Sequence, residues 1–263
     1  MEIIALLGKG GTAKTTSCAT IGHALARRGY DVVIVDLDSQ ASLSDWLVGE
    51  REDQPMVEDV LMGRVATWSD VLVPISDHLR LAPTMNFALR EVDDHIEGLK
   101  RQKELFIAKA LTRLVDQEKP DFVLLDTPRG LDTNTALNVF EAMTLALIAS
   151  EPSPMSVAAL REIVLAVREY EEAREADLLL GVLPTRYTRT SLSAMALGSL
   201  AENRSLRVLE PIRATVKASE AVALSELLWD YDKSSTASRD YEQATDTILA
   251  ALNDRTTSTK AGS

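Results

Sequence analysis

Nine residues near the start, Gly8-Lys9-Gly10-Gly11-Thr12-Ala13-Lys14-Thr15-Thr16, constrain this chain more than any others. Ahead of them runs Glu2-Ile3-Ile4-Ala5-Leu6-Leu7, whose aliphatic and β-branched content suits a strand buried on both faces. Behind them Cys18, Ile21 and Leu25 recur at helical spacing, and Arg27-Arg28-Gly29 supplies a basic last turn and a C′ glycine. Strand, glycine loop and helix in that order form a cradle for polyphosphate. The glycines let backbone N–H groups converge, and the helix N-terminus adds its dipole and unpaired donors. Lys14 is spaced to reach the β- and γ-phosphates, and the Thr15 hydroxyl to meet Mg²⁺.

The strict pattern G-x-x-x-x-G-K-[ST] is not met, because Ala13 stands where the second glycine belongs. A left-handed backbone at Ala13 carries a methyl penalty. A second lysine, Lys9, stands at the front of the loop. Lys-Gly-Gly-x-x-Lys-Thr-Thr resembles the deviant Walker A loop of the ParA/MinD ATPases, a branch of the P-loop NTPases. The resemblance implies that Lys9 crosses a dimer interface to the partner's nucleotide. It also implies that Lys9, Gly10, Gly11, Thr12, Ala13, Lys14, Thr15 and Thr16 together hold ATP.

Two further strands end in carboxylates. Tyr30 to Asp36 is apolar up to its last residue and opens into Asp36-Leu37-Asp38-Ser39-Gln40, followed by a short helix over Leu43 to Val48. Asp121-Phe122-Val123-Leu124-Leu125-Asp126, then Thr127-Pro128, has the form of a Walker B strand. Its Asp126 would hold Mg²⁺ through water, since Mg²⁺ keeps part of its hydration shell. A strand-end aspartate pair also serves to cap a helix or solvate a loop. One β-α-β step after a phosphate loop, the chemical reading of Asp36 and Asp38 is preferred. The ParA resemblance continues here: it implies that Asp38 orients the attacking water and that Asp36 supports the Mg²⁺ shell beside Thr15 and Asp126. The chain departs from the family at Ser39, where proline is familiar, and at Arg129, which replaces the second proline of Asp-x-Pro-Pro. Arg129 is either a phosphate sensor or a solvated side chain, with solvation preferred.

Further strands are expected at Leu79–Thr84, Thr144–Ser150 and Leu178–Leu183. Helices are expected at Met56–Gly63, Phe87–Ile96, Leu105–Val115 and Ser156–Arg174. Alternating strands and helices predict an α/β fold: a doubly wound, mostly parallel sheet flanked by helices on both faces. Ligands bind such sheets at the carboxyl ends of the strands. By the resemblance, adenine sits near Pro184-Thr185-Arg186 and the loop around Pro211. Glu50 to Pro55 reads as a surface loop. One domain over residues 1–255 is expected, with a polar tail over residues 256–263 that composition leaves disordered.

At 263 residues and 46% hydrophobic content there is ample material for a core. A single cysteine excludes a disulfide framework or four-thiolate metal site within one chain and fits a reducing cytosol. Cys18 itself reads as a small buried helix residue. The histidines, His23, His78 and His95, lack ligand spacing and read as solvated or capping residues. Neither a secretory leader nor an apolar run of membrane-spanning length is expected, and no helix-turn-helix before the first strand.

A net charge of −12 argues against indiscriminate attachment to nucleic acid or anionic lipid, so DNA binding needs a local patch. From Arg186 to Lys217 there are six basic residues against Glu202 and Glu210. Charge alone is equally consistent with a solvated face. Arg189-Thr190-Ser191-Leu192 and Val216-Lys217-Ala218-Ser219-Glu220-Ala221 are similar to segments of chromosomal Soj-type ParA proteins. The resemblance places Arg189 and Lys217, with Arg213 between them, at positions of non-specific DNA contact. It implies a cytoplasmic ATPase, nucleoid-associated when ATP-bound, that uses Mg²⁺ and forms an ATP-dependent homodimer. A ParB-type partner would then stimulate hydrolysis. Two other readings stay open: a MinD-like positioning ATPase, disfavoured by the polar end of the chain, and a metabolic ligase of the same nucleotide-binding class.

Overall fold

The computed structural model describes residues 1–49 and 54–261, with side chains in the last helix described to Arg255. The charged stretch expected to form a loop from Glu50 therefore lies, as far as Asp53, outside the described residues. Seven strands form one sheet: β1 (Glu2–Leu7), β2 (Val32–Asp36), β3 (Val73–Ser76), β4 (Leu79–Ala82), β5 (Phe122–Asp126), β6 (Leu145–Ser150) and β7 (Leu179–Pro184). Their order is β3-β4-β2-β5-β1-β6-β7, parallel throughout except for β3 against β4. The doubly wound, mostly parallel architecture expected from the alternation is the one observed.

The antiparallel edge strand β3 was not expected. Its sequence, Val-Pro-Ile-Ser, is short and half-exposed, and a proline without an N–H belongs only at an edge or a bulge. The register indeed shifts between Pro74 and Ser76.

Among the described residues eleven α-helices accompany the sheet. The first six are α1 (Lys14–Ala26), α2 (Ser42–Leu47), α3 (Val57–Leu61), α4 (Leu89–Gly98), α5 (Phe106–Glu118) and α6 (Asn134–Ala142). The others are α7 (Pro154–Arg174), α8 (Ser191–Glu202), α9 (Lys217–Ala223), α10 (Leu228–Tyr231) and α11 (Thr236–Ala261). Helix α11 carries its backbone on to Ala261, into the segment assigned by composition to a polar tail from Thr256.

The strands sort their side chains by parity, as a pleat requires. Ile3, Ala5 and Leu7 of β1 join Val33, Val35, Val123 and Leu125 in a core beneath α3 to α8. Ile4 and Leu6 join Ile34, Leu124 and Leu147 in a second core under α1, α2 and α9 to α11. Both faces of the sheet are therefore dry, which explains why the strands read as unbroken apolar runs rather than alternating ones. Truncating one such buried leucine to alanine costs about 2–5 kcal/mol. Trp68 is buried in the first core, and its indole N–H donates to the Ala110 carbonyl at 2.9 Å.

Cys18 is fully buried, as expected, and burial pushes its thiol well above the ordinary range. His23 departs from the solvated reading. It faces the second core from the last turn of α1 and is only 5% exposed, with Nε2 3.8 Å from Asp230. The helix turns it inward because His23 follows Ala19 at a four-residue spacing on the buried face.

Candidate nucleotide site

The parallel strands deliver three chain segments to one end of the sheet. Asp36 of β2 and Asp126 of β5 are register partners, and Leu6 of β1 pairs Asp126 from the other side. The glycine loop leaves β1 at this edge.

Within the loop the backbone decides the residue types. A Cβ on Gly8 would sit 2.5 Å from the Ala149 carbonyl oxygen and 2.7 Å from the Thr12 hydroxyl, so only glycine fits. Ala13, the N-cap of α1, has φ 56° and ψ 31°, the left-handed conformation in which its methyl group is penalised. The loop is held from two sides. The Thr12 hydroxyl donates to the Lys9 carbonyl at 2.8 Å, and the Thr185 hydroxyl, just after β7, donates to the Thr12 carbonyl at 2.8 Å. Arg186 adds a guanidinium bond to the Gly11 carbonyl at 3.0 Å. Thr185 and Arg186 were expected near a base; here they brace the phosphate loop.

Lys14 is buried at the start of α1, and burial lowers its proton affinity while the Asp126 and Asp38 carboxylates restore part of it. Lys9 is exposed at the loop's front. Thr15 and Thr16 are half-buried on the first turn.

The carboxylates divide the work unequally. Both oxygens of Asp126 are buried and no donor meets them in hydrogen-bond geometry, although the Thr15 hydroxyl stands close enough to favour the carboxylate. Burial, then the neighbouring Asp36, push its carboxyl well above the ordinary range, with the Thr15 hydroxyl and the Lys14 ammonium opposing. Asp36 is equally buried but fully engaged. Its Oδ1 accepts the Asp38 N–H at 3.1 Å, and its Oδ2 accepts the Ser44 N–H at 3.0 Å and the Ser44 hydroxyl at 2.6 Å. It thus caps α2 across the fold, so the capping role weighed for the pair holds for Asp36. Asp38 accepts the Gln40 N–H at 3.0 Å and lines the cleft.

A buried carboxylate with no donor in hydrogen-bond geometry is costly unless a cation completes it. Asp126, with the Thr15 hydroxyl close by, fits a hard divalent ion bound through one or two carboxylates and substrate phosphates. Among the described residues no cluster of three or more His, Cys, Asp or Glu side chains is placed to hold a metal, so a metal here depends on the phosphates for ligands. The scattered histidines likewise form no such cluster.

A cleft of about 820 Å³ runs from this point along the first turn of α1. Lys14, Thr15, Asp38 and Arg129 line it together with Ile212, Thr215, Val216 and Val222, which follow Pro211, where the base was expected. Tyr241 of α11 also lines the cleft, its hydroxyl 2.9 Å from that of Ser17. Arg129 is solvated, with its side chain 58% exposed, yet its Nε stands 3.9 Å from Asp38 Oδ2 across the cleft.

The three basic residues of the predicted DNA surface differ. Arg189 is exposed in the turn before α8. Lys217 pairs with Glu220 at 2.9 Å, one helical turn along. Arg213 does not stand open beside them: its guanidinium forms a fork with Asp240 of α11, at 2.6 and 2.9 Å, and it lines the nucleotide cleft. Its partner lies 27 positions away, beyond the reach of a charge count along the chain. Ser44 and Tyr241 were also missed, and neither left a signal in the sequence; Thr185 and Arg186 were expected near the base, not as braces of the loop.

The chain belongs to the CobQ/CobB/MinD/ParA nucleotide-binding domain family, whose profile matches residues 3–228. A probable plasmid-partitioning protein ParA of Thermus thermophilus is 34% identical over 177 residues, 63% of this chain and 49% of its own length. The chromosome-partitioning ATPase Soj of Treponema pallidum is 27% identical over 251 residues, 92% of this chain and 94% of its own. Among solved structures, cobyrinic acid a,c-diamide synthase from Mycobacterium smegmatis, with bound ATP analog and magnesium, is similar at a TM-score of 0.80 and 27% identity. That likeness covers 96% of each chain. The match thus spans about half of the Thermus relative and nearly all of the Treponema one. Among the described residues no helix is long and apolar enough to cross a membrane.

Proposed function

We propose that this chain is a DNA-partitioning ATPase of the ParA/Soj kind, cytoplasmic and nucleoid-associated in its ATP state. The observation that carries its nucleotide chemistry is Asp126, whose two buried oxygens meet no donor in hydrogen-bond geometry. The loop's N–H groups and Lys14 bind the polyphosphate, while the cleft residues after Pro211 take the base. Asp126 and Thr15 hold Mg²⁺, which supplies charge neutralisation on the β- and γ-phosphates. Asp36 fixes the backbone of Asp38 rather than reaching the ion, and Asp38 orients the attacking water. Lys9 is exposed, which suits a reach across an interface to a second copy's nucleotide.

That the Thermus and Treponema relatives are both partition proteins supports partition over the other family roles. In the ATP dimer two weak basic surfaces act together, raising avidity without new contacts. Arg189 and Lys217 make the phosphate contacts. An exposed pair such as Lys217–Glu220 is weak in water, so DNA phosphate displaces Glu220 at little cost. Arg213 is left out, since Asp240 occupies its fork. A ParB-type protein would stimulate hydrolysis and release the dimer.

Mobility shift of mixed-sequence duplex, with ATP or ADP across a salt series, tests this reading. Two contacts per subunit set a salt slope of roughly −3 to −4, at about −0.9 per phosphate. Binding that ignores nucleotide, or that survives in an Arg189→Ala/Lys217→Glu variant, removes DNA from this surface. A second reading, an ATP-dependent ligase, then leads. The diamide synthase matches at the same 27% identity as Soj.

A further inference from the structure

Arg129 is the chain's main departure from its family's pattern at the site, and the structure places it over the phosphate loop. It follows Thr127, whose hydroxyl donates to the Leu6 carbonyl at 2.5 Å and anchors the root of the turn after β5. It precedes Gly130, whose φ of +114° is a conformation that favours glycine. From that fixed root the side chain lies back across the site. Its Cδ comes within 3.3 Å of where a Cβ on Gly10 would stand, so glycine there leaves the room it occupies. Its Nε is 3.9 Å from Asp38 Oδ2, and it lines the same cleft as Lys14 and Thr15. A guanidinium serving only solubility would extend outward. This one spans the gap between the glycine loop and the residue that orients water.

We propose that Arg129 is an arginine finger carried in cis, turning from Asp38 onto the γ-phosphate when nucleotide fills the cleft. The inference rests on the ATPase reading of this site. In the step concerned, a water oxygen bonds to the γ-phosphorus. The bond from that phosphorus to the bridging oxygen breaks, and its electron pair stays on the β-phosphate of ADP. One water proton remains on the new phosphate and the other leaves to solvent. Charge grows on the bridging and equatorial oxygens as the bond breaks, and a preorganised guanidinium beside them stabilises it. Asp38 gives the guanidinium a resting partner before ATP arrives. That contact is weak, at 3.9 Å and with Arg129 largely exposed, so phosphate wins it easily.

Arg186 is the contrast. Its guanidinium donates to the Gly11 carbonyl at 3.0 Å and holds the loop's shape, so it serves binding rather than turnover. The test compares the parent, Arg129→Ala, Arg129→Lys and Arg186→Ala. Three readouts are taken: ATP turnover, affinity for a fluorescent ADP, and the gain in that affinity when aluminium fluoride is added as a transition-state mimic. Arg129→Ala should lower kcat about 10²–10³-fold, leave ADP affinity within about threefold, and lose the fluoride-dependent gain. Arg129→Lys should recover part of the rate, having charge without the fork. Arg186→Ala should weaken ADP binding instead. Turnover by Arg129→Ala within about threefold of the parent overturns the inference, as does a parallel loss of kcat and ADP affinity. A parent that turns over no ATP overturns the ATPase reading itself, which the other two results leave standing.

Discussion

Replacing Ala13 by glycine should make the nucleotide-free protein more stable, against the general rule that glycine loosens a helix. Ala13 sits at φ 56° and ψ 31°, in the left-handed well. A residue with a Cβ pays roughly 1–2 kcal/mol to be there. Glycine escapes that cost but gives up more backbone freedom on folding, roughly 0.5–1 kcal/mol. The difference favours glycine by about 0.5–1 kcal/mol. The helix end points the same way: Ala13 caps α1 with no side-chain hydrogen bond, and glycine is a better N-cap than alanine. The two statements describe one cost and are not added. At this chain length the gain corresponds to a rise in Tm of about 1–4 °C. Urea unfolding without nucleotide, followed by far-UV circular dichroism, should show a higher midpoint at unchanged m. Gly8→Ala at the other end of the loop should do the reverse. Its Cβ would meet the Ala149 carbonyl oxygen at 2.5 Å, overpacking that typically costs about 1–3 kcal/mol. An Ala13→Gly midpoint at or below the parent's would refute the assignment of strain to this residue.

Lys9→Ala should still bind ATP, because Lys14 remains, but should fail to dimerise; light scattering with ATP and Mg²⁺ that still reports a dimer would leave Lys9 an ordinary loop residue. Asp38→Ala should bind ATP yet stall its hydrolysis, whereas Lys14→Ala should lose binding altogether, and undiminished turnover in Asp38→Ala would remove the water-orienting role. The hydrogen bond that His78 donates to the Asp31 carboxylate holds the imidazole above its ordinary range, the imidazolium being the favoured form. Because the folded value is raised, the imidazolium's contribution to stability is full just below the ordinary histidine range, where Asp31 is ionised, and fades as pH climbs through the folded value. An NMR titration should find the His78 midpoint lower in Asp31→Asn; an unmoved midpoint would show that the 2.6 Å contact does not persist in solution.

The order of elements and the chemistry of the loop were legible because both are local. A run such as Phe122-Val-Leu-Leu-Asp126 must be dry on both faces, and only a doubly covered parallel sheet offers that. Gly8, Lys14 and Thr15 likewise carry their meaning in spacing alone. Even the left-handed strain at Ala13 followed from the departure from glycine. The short edge strand β3 was hidden for the opposite reason: half-exposed and broken by Pro74, it has no periodicity to read.

What the sequence left open were choices between equivalent side chains, and those depend on which partners the fold brings within reach. Asp36 and Asp126 look alike as strand-end carboxylates. The fold gives one of them Ser44 and the Asp38 N–H, and leaves the other without a donor in hydrogen-bond geometry. Arg213 and Arg189 look alike as members of a basic stretch, until α11 brings Asp240 to the first and leaves the second exposed. His23 read as solvated until α1 packed it inward. A charge or hydrogen bond takes its value from what lies within a few ångströms. That distance is set by tertiary packing, so the sequence settled which groups are present and the fold settled which of them are free to act.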